Sequence, residues 1–123
     1  MNALTISTRD AVTGPVLEVS GDLDYVNAGE LRELLPTITL GPGQRLVVDL
    51  GALEFCDSSG ITALIAAHHH AQSAGGQLVL AAVPANTLRV LSIVGLDQIL
   101  TIHPDSEAAT RVPPAPANGH PRK

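Results

Sequence analysis

A chain of 123 residues has room for one domain of ordinary size and none for a second, enzymatic one. Twelve acidic against seven basic side chains give a net charge of −5, and the basic ones are scattered arginines apart from the Arg122-Lys123 end. The clustered cations that nucleic-acid phosphates require are therefore missing, and a protein partner or small ligand is expected instead.

Hydrophobic residues make up 45%, yet Tyr25 and Phe55 are the only aromatics, which leaves Leu, Ile, Val and Ala to fill the core. The longest strongly apolar stretches, Ile61 to Ala67 and Leu78 to Ala85, fall short of the ~18 to 20 residues of a membrane span. The start, Met1 to Ile6, lacks the basic and apolar regions of a secretory signal. A single cysteine, Cys56, has no internal disulfide partner. The expected location is the cytoplasm, with no membrane contact.

In chain order, Leu4 to Ser7 and Val16 to Val19 flank a turn at Thr13-Gly14-Pro15 and predict a hairpin. Asn27 and Glu30 stand in a capping-box arrangement ahead of Leu31, Leu34 and Leu35, and Pro36 ends or kinks that helix. Leu46 to Leu50, after Gly41-Pro42-Gly43, reads as a central strand covered on both faces. From Asp57 the period changes. Ile61, Leu64, Ile65 and His68 mark one stripe of a helix, and Gly75-Gly76 supply the left-handed conformation that ends it. Leu78 to Leu80 is another buried strand. Asn86 is placed to cap a helix carrying Leu88, Leu91 and Val94, stopped by Gly95, and Ile99 to Ile102 is a last short strand.

The order β-β-α-β-α-β-α-β predicts an α/β fold with a mixed sheet of about five strands and helices packed on it. Residues 104 to 123 contain four prolines after Pro104 and no Leu, Ile, Phe or Met, and read as a flexible tail. The expected folded unit spans residues 1–108, with a Pro/Ala-rich tail over 109–123.

The most informative segment is Phe55-Cys56-Asp57-Ser58-Ser59-Gly60, where a buried strand hands over to a helix. Function concentrates at this edge of an open α/β sheet. A helix start offers four N–H groups without intrahelical partners and about half a positive charge, so it can accept a phosphate on Ser58. Such a phosphate adds about −1.5 to −2 charges beside Asp57, on a surface expected to present Asp22 and Asp24 as well. The physical expectation is a surface switch in which the fold survives and an interface is lost. The same four residues, Asp57 to Gly60, also make an ordinary N-cap, and spacing alone does not decide between the two.

Four pieces carry a resemblance: Val19 to Asp24, Leu46 to Leu50, Phe55 to Gly60, and Val94-Gly95-Leu96-Asp97. In this order and spacing, over most of residues 4 to 108, the chain resembles the STAS domain family, specifically its stand-alone anti-sigma factor antagonists. The resemblance implies that Ser58 is phosphorylated by an anti-sigma factor serine kinase of histidine-kinase-like ATPase fold. The unphosphorylated chain would capture that kinase and release the sigma factor, and a metal-dependent Ser/Thr phosphatase would restore it. Asp24, Asp57, Ser59 and Gly60 would then form the kinase-facing surface, and the chain would need neither cofactor nor metal nor chemistry of its own. The family often has Leu-Gly where this chain has Ile61-Thr62, and the tail lies outside the match.

A different role on the same fold is a non-switching subunit of a stress-signalling or lipid-transport complex. A third reading starts from Asp22-Leu23-Asp24-Tyr25-Val26, which fits the D-x-D-x-[TV] pattern of haloacid-dehalogenase-type phosphatases. Those enzymes also need a basic residue, usually Lys, and the only lysine here is Lys123. His68-His69-His70 suggests a metal tract, but successive helical residues point about 100° apart and cannot converge on one ion. His68 is expected to be half-buried and the other two solvated. Cys56 reads as a small residue packed at a strand end rather than a redox centre.

Overall fold

The structure, a computed structural model, describes residues 3–112. In chain order it contains β1 (Thr5–Ala11), β2 (Gly14–Leu23), α1 (Ala28–Leu34) continued by a 3₁₀ turn over Leu35–Thr37, and β3 (Arg45–Cys56). Next come α2 (Ser58–Ser73), β4 (Gln77–Ala81), α3 (Ala85–Ile93) with a 3₁₀ turn over Leu96–Gln98, β5 (Thr101–His103) and α4 (Ser106–Ala109). One sheet runs β1-β2-β3-β4-β5, with β1 antiparallel to β2 and every other neighbouring pair parallel. The α/β class and the five-stranded mixed sheet are those the residue pattern predicts.

Every parallel step moves the same way across the sheet, so right-handed connections put α1, α2 and α3 on one face. Leu31, Leu64 and Leu91 of these helices pack there with Leu17, Val48 and Leu80 of the strands. The register places Leu17 beside Val48 and Val48 beside Leu80, which lines the three up under α2. Full burial of each such side chain contributes ~1.5–3 kcal/mol. Neither aromatic belongs to this core.

Alternate strand residues face the other way. Val16, Val47 and Val79 lie in register and form a smaller cluster with Ala81, closed by Ala109 of α4. Arg45 Nη1 donates to the carbonyls of Ala109 at 3.0 Å and Arg111 at 2.9 Å, and Asp105 caps α4 by accepting from the Ala108 N–H at 2.8 Å. The expectation of a tail from residue 104 is corrected here, because Ser106–Ala109 is helical and Ala109 is fully buried. Alanine is large enough to fill this shallow face, so the absence of large apolar residues did not mean the absence of packing. Residues 113–123 of the expected tail lie outside the described residues.

Other differences are local. Asn27 stands at the start of α1, but its side chain accepts from the Asp24 N–H at 2.9 Å and donates to the Asp22 carbonyl at 2.7 Å, closing the β2–α1 loop instead of capping the helix. Pro84, not Asn86, precedes α3. Gly75 takes φ +79° and ends α2, while Gly76 is needed for space, since a β-carbon there would come 2.6 Å from both Gln44 O and Leu40 Cδ2. β3 runs six residues beyond Leu50. Past Asp49, where its pairing with β4 stops at Ala81, it follows β2 alone, with two register shifts that each add a residue to β3. Those shifts break the alternation a strand is recognised by, and the extension delivers Phe55 and Cys56 to the start of α2.

Candidate functional site

Asp57 stands at the N-cap of α2 with extended backbone, φ −99° and ψ −170°. Its Oδ1 accepts from the N–H groups of Ser59 at 2.8 Å and Gly60 at 3.1 Å. Oδ2 accepts from the Tyr25 N–H at 3.1 Å, and the Asp57 N–H donates to the Leu23 carbonyl at 3.2 Å. One residue therefore ties the start of α2 to the end of β2 and to the β2–α1 loop. Ser58 follows as the first helical residue and is exposed. Thr62, one turn on, donates its hydroxyl to the Ser58 carbonyl at 2.9 Å.

The Ser59 and Gly60 N–H groups are committed to the Asp57 carboxylate and that of Asp57 to the Leu23 carbonyl. Four open donors were expected at this helix start, and three of them are already taken. What remains for a group on Ser58 is its own N–H and the helix macrodipole, with the Asp57 charge beside it.

Gly60 is buried. A β-carbon on it would come 2.6 Å from Cys56 Sγ and 2.6 Å from the Leu23 carbonyl oxygen, so it lets α2 press against β2 and presents no side chain. Ser59 and Asp57 are half-buried. Asp24 was expected on the surface and is 3% exposed; its Oδ1 accepts from the Val26 N–H at 3.0 Å and its carbonyl from those of Asn27 and Ala28, so it shapes the loop. Asp22, also expected on the surface, is buried in β2. That burial withholds it from solvent as a phosphatase-type nucleophile.

The surface beside Ser58 is apolar. Tyr25 is 78% exposed and Phe55 53%. Between α2 and α3 lies a groove of about 530 Å³ whose walls include Ser58, Thr62, Ile61, Ile65, Val90 and Val94. Tyr25 and Phe55 went unassigned in the sequence, although a signal existed: the only two aromatics of the chain flank the two loops that meet at Asp57.

Burial, and then the neighbouring Asp57 charge, push the Cys56 thiol up to about 11, which suits a packed residue and not a nucleophile. His69 is exposed and His68 half-buried, their rings 5.7 Å apart, whereas His70, expected in solvent, is half-buried with Nε2 3.1 Å from the Ile38 carbonyl. Among the described residues no group of three or more His, Cys, Asp or Glu side chains is placed to hold a metal ion. None of their helices is long and apolar enough to cross a membrane.

The family model of the STAS domain matches residues 4–109, from before β1 to the buried end of α4. The chain belongs to the STAS domain family. The anti-sigma-F factor antagonist RsfB of Mycobacterium tuberculosis is 30% identical over 100 residues, 79% of each chain. The anti-sigma-B factor antagonist of Listeria monocytogenes is 27% identical over 84 residues, 68% of this chain and 74% of the other. Among solved structures, an anti-sigma factor antagonist from Mycobacterium paratuberculosis superposes with a TM-score of 0.73 at 28% identity, covering 87% of this chain and 91% of its own.

Proposed function

We propose that this STAS domain is an anti-sigma factor antagonist, switched by phosphorylation of Ser58. The observation that carries the reading is the exposed Ser58 hydroxyl on the first residue of a helix whose start is already fixed by Asp57. The acceptor can change its charge without being needed to hold the fold, in a chain whose relatives are named antagonists. In the transfer, Ser58 Oγ bonds to the γ-phosphorus of ATP, the bond to ADP breaks, and the hydroxyl proton passes to a base of the kinase. The kinase is an anti-sigma factor with a histidine-kinase-like ATPase fold, and a Ser/Thr phosphatase reverses the step. Unphosphorylated, the domain holds the kinase and releases the sigma factor in the cytoplasm. It contributes an acceptor and a surface, and no catalysis.

The hydrogen bonds of Asp57 support a switch of surface and not of fold. A phosphate on Ser58 finds one N–H, the helix dipole and an opposing carboxylate, so it stays at the surface and in water. Asp57, Ser59 and Gly60 contribute to recognition by fixing the shape under Ser58, and Asp24 by fixing the adjacent loop. The test is a pull-down with the Ser58→Ala protein as bait, with mass spectrometry of the wild type purified from its own cells. Recovery of a histidine-kinase-like ATPase, together with a phosphate mapped to Ser58 and absent in Ser58→Ala, is the expected result. Recovery of transporter subunits with unmodified Ser58 under all growth and stress conditions would overturn it.

A further inference from the structure

We propose that the start of α3 is a binding site for a small zwitterion, an α-amino acid with a neutral apolar side chain. The site lies outside the carboxyl ends of β3 and β4, the edge at which open α/β sheets bind ligands. A hollow of about 190 Å³ opens there, with Leu53, Glu54 and Phe55 of β3 on one side and Pro84, Thr87 and Val90 on the other. That is smaller than the ~300–1,000 Å³ of a pocket for a drug-sized molecule, so its ligand is small.

Two independent observations point to a ligand. The first is the helix start. Asp57 caps α2 and Asp105 caps α4, whereas Pro84 at the N-cap of α3 offers no side-chain acceptor. The first bond of α3 runs from the Leu88 N–H to the Pro84 carbonyl at 2.8 Å, and the N–H groups of Ala85, Asn86 and Thr87 ahead of it have no acceptor among the described residues. With about half a positive charge at this end of the helix, they form a cradle for an oxyanion. The second observation is Thr87. Thr62 and Thr110 give their hydroxyls to the carbonyl one turn back, that of Ser58 at 2.9 Å and of Ser106 at 2.8 Å. Thr87 is only 6% exposed and borders the hollow, yet its hydroxyl bonds to no described residue. Buried polar groups are nearly always hydrogen-bonded, so this one lacks a partner that the hollow has room to hold.

Charge narrows the class. Among the described residues the only charged one lining the hollow is Glu54, which is exposed. A phosphate dianion would meet that carboxylate with only a partial helix charge to offset it. A single carboxylate matches the cradle and leaves Glu54 for a cation. An amino acid carries both: its carboxylate sits on the α3 N–H groups and the Thr87 hydroxyl, its ammonium faces Glu54, and its side chain lies against Leu53, Phe55 and Val90.

The probe is L-valine, titrated into the isotope-labelled chain and followed by amide shifts. Saturable shifts at Ala85, Asn86 and Thr87 are expected. Valinamide, which lacks the carboxylate, should produce none, and isovalerate, which lacks the ammonium, should bind about ten-fold more weakly. Glu54→Gln, at an exposed position, should weaken valine about ten-fold and leave isovalerate unchanged. Thr87→Val keeps the shape and removes the hydroxyl. It should lower affinity for valine while raising the urea midpoint of the free protein, whereas a threonine with a purely structural role would lower that midpoint. No saturable shift at the three amides with valine, or equal affinity for valine and for isovalerate or inorganic phosphate, overturns the proposal. No kinase takes part, so either result leaves the reading of Ser58 as it stands.

Discussion

Replacing Asp57 by alanine removes one carboxylate and three hydrogen bonds, to the N–H groups of Ser59, Gly60 and Tyr25. Loss of an N-cap side chain costs about 1 kcal/mol and up to about 2. Loss of a negative charge at the helix start adds ~0.3–1 kcal/mol. With the Tyr25 bond discounted for its exposure, the sum is about 1–3 kcal/mol. For a domain of about 110 residues that lowers Tm by about 5–12 °C. Asparagine caps as well as aspartate, so Asp57→Asn should lose only the charge contribution, under about 1 kcal/mol. Urea unfolding followed by circular dichroism measures both. A loss below about 0.5 kcal/mol in Asp57→Ala, or equal losses in the two variants, would refute the claim that this side chain fixes the platform under Ser58.

Two glycines predict opposite outcomes of the same substitution. Gly60→Ala drives a β-carbon against Cys56 Sγ and the Leu23 carbonyl and should destabilise by ~1–3 kcal/mol, whereas Gly29→Ala in α1 has open space and should stabilise by about 0.5 kcal/mol. Cys56, pushed from 9.0 up to about 11, should react with a disulfide reagent at pH 8 far more slowly in the native protein than in urea, and faster as pH rises toward 11. The folded state holds this proton more tightly than the unfolded chain, so the stability it lends is intact below pH 9 and lost between 9 and about 11. Wild type should therefore lose more stability over that interval than Cys56→Ser, as read from urea midpoints. Arg45→Ala frees the carbonyls of Ala109 and Arg111 and should cost about 1–2 kcal/mol, with faster proteolytic cleavage near residue 105.

Periodicity exposed most of the scaffold in the sequence because the helices and β4 bury one clear stripe or run each: Leu64 and Leu91 on helices, Leu78 to Leu80 on a strand. It failed where backbone hydrogen bonds, not apolar pattern, set the structure. The two added residues of β3 and the side chain of Asn27, turned inward to bind Asp22 and Asp24, leave no periodic trace. The place of Ser58 at the start of α2 was legible because a capping sequence lay at a strand-to-helix junction. Asp24 was misplaced on the surface because a short polar loop hides whether its carboxylate faces water or its own backbone; here it takes the Val26 N–H. The groove was invisible for a different reason: Ile65 and Val94 are distant in sequence, and only packing makes them neighbours.

The sequential strand order has a consequence for the birth of the domain. Each strand lies beside the one made just before it, so assembly needs no long-range insertion and can follow synthesis from the N-terminus. Every partner of Asp57, from Leu23 and Tyr25 to Ser59 and Gly60, is on hand once α2 has emerged, before β4 or β5 exists. The grip of Arg45 on Ala109 closes last, and it is this late step that takes the second face of the sheet out of water.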